Sequence, residues 1–226
     1  MKLGRMVTVI LAAACVVSMA GCRQKQAPAG TAEAPKTTEA AKEAAAEPAA
    51  AENKETGEKI KIGISMQGNQ SGFVQYFTSA MYEYQATKAQ DIDMEVVFAD
   101  DDPAKQFSQV ETFVSKKVDA ILCMADCQLT GVITAVENAC KMGEIKLAGM
   151  DCDPVILKAI KDGKVDCSIW QDGLAQGENA LRLAILAAQG EEISDYIIPY
   201  EVCTKDNIEE YEKKAAERDE LAKKYF

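Results

Sequence analysis

From Lys59 onward, short β-branched apolar runs alternate with longer amphipathic ones, and this alternation restricts the fold more than any other feature of the chain. Residues 60–65 (IKIGIS) read as a strand, and residues 73–89 place Phe73, Phe77, Met81 and Tyr84 at helical spacing. Residues 94–98 form a second strand. Asp102 and Pro103 then open a helix that carries Phe107, Val110 and Val114 on one face. The aspartate can accept from free N–H groups of the first turn, and proline at the first helical position has no N–H to waste. Strands over 118–122, 145–150 and 165–170 alternate with helices over 129–141, 154–161 and 174–189, and a further strand is expected at 196–200. Strands separated by helices pair in parallel through right-handed crossovers, which place helices on both faces of the sheet. The expectation is an α/β fold with a doubly wound parallel sheet, covered on both sides. Ligands of such sheets bind beyond the carboxyl ends of the strands, where the strand order reverses.

The chain ahead of this domain is different material. Lys2 and Arg5 precede an apolar stretch over residues 6–17, too short for a membrane span, which needs about 20 residues. A charged start, an apolar middle and small residues before a cut site describe a secretory signal over residues 1–21. Met19-Ala20-Gly21-Cys22 also resembles a bacterial lipobox, which implies lipidation of Cys22. Each buried acyl methylene contributes about 0.8 kcal/mol, so several chains would hold the protein at the outer face of a cell membrane. Residues 23–58 are rich in Ala, Glu, Lys, Thr and Pro and lack aromatic residues. Such a composition buries too little apolar area to offset the entropy of ordering, and a flexible coil of this length spans roughly 30–35 Å. Residues 22–58 are therefore expected to be a lipidated tether, 59–203 the folded domain and 204–226 a charged helix.

Charge and residue usage exclude several functions. Residues 1–58 hold seven basic and seven acidic side chains, so the remainder holds 18 basic and 29 acidic, and the net charge of −11 resides in the domain. No basic patch offers to neutralise a phosphate backbone, and nucleic acid is not an expected partner. There is no histidine, which removes Ser-His and Cys-His nucleophile pairs. Gly63 and Gly68 do not make the dinucleotide fingerprint after the first strand. Cys123 and Cys127, with Asp126 between them, raise a metal or redox reading. One Cys-x3-Cys without a second close pair is a weak metal signal, and packing residues at a strand end are the reading kept. The six domain cysteines lie in or near expected strands, where cysteine behaves as a small apolar residue, and mostly free thiols are expected. The chain is expected to be no enzyme and to need no cofactor.

Binding chemistry is better represented. Asp151 follows the fourth strand, and Trp170-Gln171-Asp172 follows the fifth. A carboxylate, an amide and an aromatic face at neighbouring strand ends suit a polyol, because oxygens accept from hydroxyls, the amide donates, and the ring covers C–H surface. Each has a structural alternative: Asp151 capping the helix at Pro154, and Trp170 filling the core.

Residues 61–65 followed by Phe73, then 102–106 (DPAKQ), resemble the opening of type I periplasmic sugar-binding proteins of the ribose- and galactose-binding sort. Residues 148–151 (AGMD) with 157–163, and residues 168–171 (SIWQ) with Gly177, resemble later segments of the same family in family order. The resemblance implies first-lobe ligand positions at Ser65, Asn69 and Phe73 and second-lobe positions at Asp151 and Gln171, with Trp170 beside them. It also implies a small-molecule sugar ligand and delivery to an ABC permease by closure of two lobes. A strand-three asparagine frequent in ribose binders corresponds here to Ala125.

The family has two lobes, whereas this chain carries one lobe's worth of strands. Residues 60–118 match the front of the first lobe and 124–200 the back of the second, with the seam near 118–126. Joining the lobes at equivalent third strands would give one hybrid sheet of order 2-1-3-4-5. A homodimer or an open, low-affinity edge would then have to replace the missing wall of the cleft. The leading expectation is a lipid-anchored solute-binding protein of a carbohydrate importer. The competing ones are a lone-lobe interaction lipoprotein that docks on a membrane receptor or permease without carrying solute, and a thiol or metal lipoprotein. In the tail, Asp206 and Glu209 offer a capping box.

Overall fold

A computed structural model describes residues 58–225. The signal segment, Cys22 and the tether lie outside the described residues. The domain runs β1 (Ile60–Met66), α1 (Gly72–Lys88), β2 (Ile92–Phe98), α2 (Pro103–Ser115), β3 (Ala120–Cys123), α3 (Asp126–Asn138), β4 (Lys146–Met150), α4 (Pro154–Lys161), β5 (Cys167–Trp170), α5 (Gly173–Gln189), β6 (Glu201–Thr204), a short 3-10 turn (Lys205–Asn207) and α6 (Ile208–Tyr225). The sheet order is β2-β1-β3-β4-β5-β6, with β1 to β5 parallel and β6 antiparallel beside β5. This is the expected 2-1-3-4-5 sheet with one strand added at its edge.

Local chemistry sets the element boundaries. The Asp102 carboxylate accepts from Ala104 N at 2.8 Å and Lys105 N at 3.2 Å, with Pro103 in the first turn as expected. Ser71 caps α1 by accepting from Phe73 N at 3.2 Å, and Asp172 caps α5 by accepting from Ala175 N at 2.9 Å. Gly63 has a packing reason: a Cβ there would stand 2.6 Å from the Phe113 ring, so only glycine lets α2 settle on β1.

Three expectations change. The last strand is 201–204 rather than 196–200, because Pro199 has no N–H for a ladder and the register pairs Trp170 with Glu201. The tail cap uses Thr204 and Asn207, two residues ahead of the Asp206–Glu209 pair; Asn207 Oδ1 accepts from Thr204 N at 2.7 Å.

The third change concerns coverage of the sheet. Ile121, Cys123, Leu147, Trp170 and Cys203 point to one face and are buried under α2, α3, α4 and α6. Their strand neighbours Leu122, Ala148, Met150 and Ile169 point the other way and are half-buried, while Val202 is exposed. On that side α1 packs over β1 and β2 around Ile64, Met66 and Val74. No residue of α5 is buried, and none belongs to either core cluster. Because β6 returns antiparallel next to β5, no crossover obliges α5 to lie across the sheet. One face is closed, while the other is packed by α1 as far as Leu122 of β3 and is only partly buried beyond it.

Candidate functional site

The carboxyl ends of β4 and β5 carry two of the expected ligand residues in contact. Gln171 Nε2 donates to Asp151 Oδ1 at 2.8 Å. Asp151 sits at φ 108° and Cys152 at φ 53°, conformations that non-glycine residues rarely adopt and that cost about 1–3 kcal/mol each. Three bonds hold this bend. Asp151 N donates to Ile169 O at 2.8 Å, extending the ladder with β5. Cys152 N donates to the Ser168 hydroxyl at 3.2 Å. The Asp151 carbonyl accepts from Arg218 Nη1 at 3.1 Å. Partial burial and the neighbouring Asp153 charge raise the Asp151 carboxyl above its ordinary range, opposed by the Gln171 bond and Arg218.

Asp126 underlies this corner. It starts α3, is fully buried, and accepts from the Ser168 hydroxyl at 3.0 Å and from Asp153 N at 2.9 Å. Burial pushes its carboxyl up to about 7; the bonds from Asp153 N and Ser168 oppose this, while the Asp153 and Asp151 charges add to it. Gly149 makes the arrangement fit, since a Cβ there would overlap Asp126 Oδ1 and stand 2.7 Å from Leu129 Cδ2. Three carboxylates thus crowd one strand edge, and Arg218 reaches in from α6, with Nη2 3.8 Å from Asp153 Oδ1.

The other expected residues are placed differently. Trp170 is 3% exposed, lying beneath the Arg218 guanidinium at 5.3 Å and against Tyr211 at 6.0 Å, so its ring offers no open face to a sugar. Ser65 is fully buried and accepts from Gln106 Nε2 at 3.0 Å. Phe73 is exposed and stacks on Phe77 at 6.1 Å, and the Asn69 carbonyl accepts from Gln75 Nε2 at 3.1 Å. Both belong to the β1–α1 junction. Strands β1 and β5 stand three inter-strand spacings apart, roughly 14 Å, so the two groups lie along one edge without converging.

A cavity of about 340 Å³ lies at the switch point, between the loop after β1 and the first turns of α2 and α3. Gln67, Asp101, Gln106, Gln128 and Thr130 line it, and none of the six expected ligand residues does. Among the described residues, no group of three or more His, Cys, Asp or Glu is arranged to hold a metal ion, and the six cysteines are free. Burial pushes the Cys123 thiol up to about 12, which suits a packing role rather than a reactive thiolate.

Asp126 was singled out from sequence only as the residue between Cys123 and Cys127, and Arg218 not at all. Asp126 was legible as the end of the third strand, but the expected helix began three residues too late to give it a first-turn role. Arg218 lies 67 residues from Asp151 and has no local signal.

Residues 30–192 match the family described as periplasmic binding protein domain. An ABC transporter solute binding protein from Bacillus halodurans C-125, solved with bound myo-inositol, is 32% identical with a TM-score of 0.57, over 70% of this chain and 55% of that one. A periplasmic solute binding protein from Actinobacillus succinogenes 130z, solved with bound D-allose, is 22% identical with a TM-score of 0.57, over 69% of this chain and 55% of that one. A provisionally named rhizopine-binding protein of Rhizobium meliloti is 32% identical over 98 residues, 42% of this chain and 32% of its own length. The chain thus spans about half the length of the solved relatives, which fits one sheet rather than two.

Proposed function

The chain belongs to the periplasmic binding protein domain family, and from that premise we propose that it binds a sugar or cyclic polyol outside the cytoplasm for an ABC importer. It does so without catalysis, and the ligand is held at the carboxyl edge of the sheet. The observation that carries the reading is the Asp151–Gln171 pair, fixed at adjacent strand ends by a 2.8 Å hydrogen bond. A carboxylate accepts from two neighbouring hydroxyls, and the amide adds one donor and one acceptor. Asn69 and Phe73 extend the same edge toward β1 and offer an amide and an exposed ring. Trp170 and Ser65 contribute from beneath, by fixing the backbone and packing of the two strand ends. Bound myo-inositol in the Bacillus halodurans relative supports a polyol class of ligand.

Lipidation of Cys22 places the domain on the outer face of the membrane, on a tether long enough to reach a permease. Radiolabelled palmitate incorporated by the wild-type chain and lost in Cys22→Ala tests the anchor; label retained in the variant refutes it.

Calorimetry of the full chain in mild detergent with inositols, pentoses and hexoses tests the binding. Saturable heat with at least one of them, lost in Asp151→Ala, is the expected result. No heat across the panel from folded protein removes the solute reading.

A second reading is favoured by one observation: a single sheet edge supplies one wall of a cleft, and the chain covers 55% of the inositol-bound relative. In it, the domain docks on a membrane receptor or permease without solute. Recovery of the same membrane protein with and without sugar, from a chain that gives no ligand heat, selects this reading over the first.

A further inference from the structure

Two glutamines on neighbouring helices end in carbonyl oxygens that the fold leaves unused, and both line the cavity at the switch point. Gln106 is 6% exposed. Its Nε2 donates to the buried Ser65 hydroxyl at 3.0 Å, which fixes the amide and leaves Oε1 accepting from no donor among the described residues. A Cβ built on Gly131 would stand 3.5 Å from that oxygen, so it lies between α2 and α3, where Gly131 also lines the cavity. Gln128, in the first turn of α3, has a buried Oε1 without a hydrogen-bond partner among the described residues. A buried acceptor left unmet is costly, and folded proteins almost always satisfy it.

The rim of the cavity is negatively charged. Asp101 and Asp102 line it, and neither pairs with a cation among the described residues; the Lys105 ammonium, in the first turn of α2, is held by Asp100. Asp101 Oδ1 accepts from Gln67 Nε2, and Asp102 Oδ1 accepts from Ala104 N and Lys105 N, so one oxygen of each carboxylate is left over. What the site lacks is donors. At about 340 Å³ the cavity reaches the ~300–1,000 Å³ range of small-molecule sites and is too large for a bare metal ion. Among the described residues, no group of three or more His, Cys, Asp or Glu is arranged to hold such an ion either. Ala99 and Pro103 add carbon surface to the lining. A hydroxyl donates one hydrogen bond and carries no charge, whereas a primary ammonium donates three and carries the charge that the two aspartates lack.

We propose that this cavity binds a small organic cation that carries a primary ammonium group on a short carbon skeleton. The ammonium donates to Gln106 Oε1 and Gln128 Oε1, and Asp101 and Asp102 balance its charge. The site is separate from the solute edge, since none of Ser65, Asn69, Phe73, Asp151, Trp170 and Gln171 lines it. Ser65 serves it only by holding the Gln106 amide in place. The inference goes beyond the solute reading and does not rest on it.

Calorimetry of the full chain in mild detergent tests the site, with ethylammonium and ethanolamine as probes and tetramethylammonium, glycerol and calcium chloride for comparison. Saturable heat with the two primary ammonium probes is expected. Binding should be at least tenfold weaker for tetramethylammonium, which has the charge without N–H donors, and for glycerol, which has donors without the charge. Gln128→Met removes one acceptor and Asp101→Asn one charge, and each should weaken ethanolamine binding at least tenfold. Gln128→Met should also keep or raise the thermal melt by circular dichroism, because it removes an unmet buried acceptor. Cys127, exposed at the cavity, gives a second readout: ethanolamine should slow its labelling by a maleimide and leave that of exposed Cys140 unchanged. The two readings fail separately, because the ammonium heat is measured without sugar and the sugar heat without ammonium. No heat with either ammonium probe from folded protein would show a cavity that serves water alone and overturn the proposal. Equal binding of tetramethylammonium or glycerol, tighter binding of calcium, or full binding by either variant would overturn it as well.

Discussion

The two faces of the sheet are built from the same strands, yet they differ in kind. Ile121, Cys123 and Leu147 are at most 1% exposed, while Leu122, Ala148 and Met150, alternating with them along the strands, are only partly buried. The apolar character is similar on both sides, so hydrophobicity of a strand residue does not report its burial. What differs is whether a crossover helix is held over it. Helices α2, α3 and α4 join strands that run parallel and must lie across the sheet; α5 leads to an antiparallel strand and need not. Stability is therefore concentrated on one face.

Phe113→Ala should give the largest effect, because the ring fills the space that Gly63 leaves between α2 and β1. A loss of about 3–5 kcal/mol by denaturant unfolding is expected, and a loss below about 1 kcal/mol would break the distinction between the faces. Gly149→Ala comes next. Its methyl overlaps the Asp126 carboxylate on the closed face, so a loss of about 2–3 kcal/mol is expected; a neutral result would mean that Asp126 is free to move.

Asp126 sharpens the comparison through pH. Its folded pKa, about 7, lies above the ordinary carboxylate value of 3.8, so the folded chain holds the proton more tightly than the unfolded chain does. The stabilisation is full below pH ~4 and is lost as pH rises through about 7. The stability of wild type relative to Asp126→Asn should therefore fall between pH 5 and pH 8, by roughly 2–3 kcal/mol. A difference that is flat, or that rises with pH, would show the carboxylate ionised and well paired. The smallest effects belong to α5. Leu181→Ala, at an exposed position of α5, should change unfolding by less than about 0.5 kcal/mol. A loss above about 1.5 kcal/mol would place α5 on its own sheet.

Most of the fold was legible in the sequence because its signals are local. The Asp102-Pro103 cap, the helical spacing of Phe73, Phe77 and Met81, and the β-branched runs each act within a few residues. They determined five parallel strands, their alternation with helices, and the strand ends at which Asp151 and Gln171 meet. Tertiary structure decided the rest, because it depends on which elements share space. Trp170 is roofed by Arg218 and Tyr211 from a helix that follows it by about 40 residues, and Ser65 is roofed by Gln106. Asp126 is held by Ser168 and made to fit by Gly149, neither of which is near it in the chain. The antiparallel return of β6 beside β5 frees α5 from any crossover, and none of its residues is fully buried. No residue periodicity encodes that choice, because an amphipathic helix carries the same pattern whether its apolar stripe is covered by its own sheet or by another.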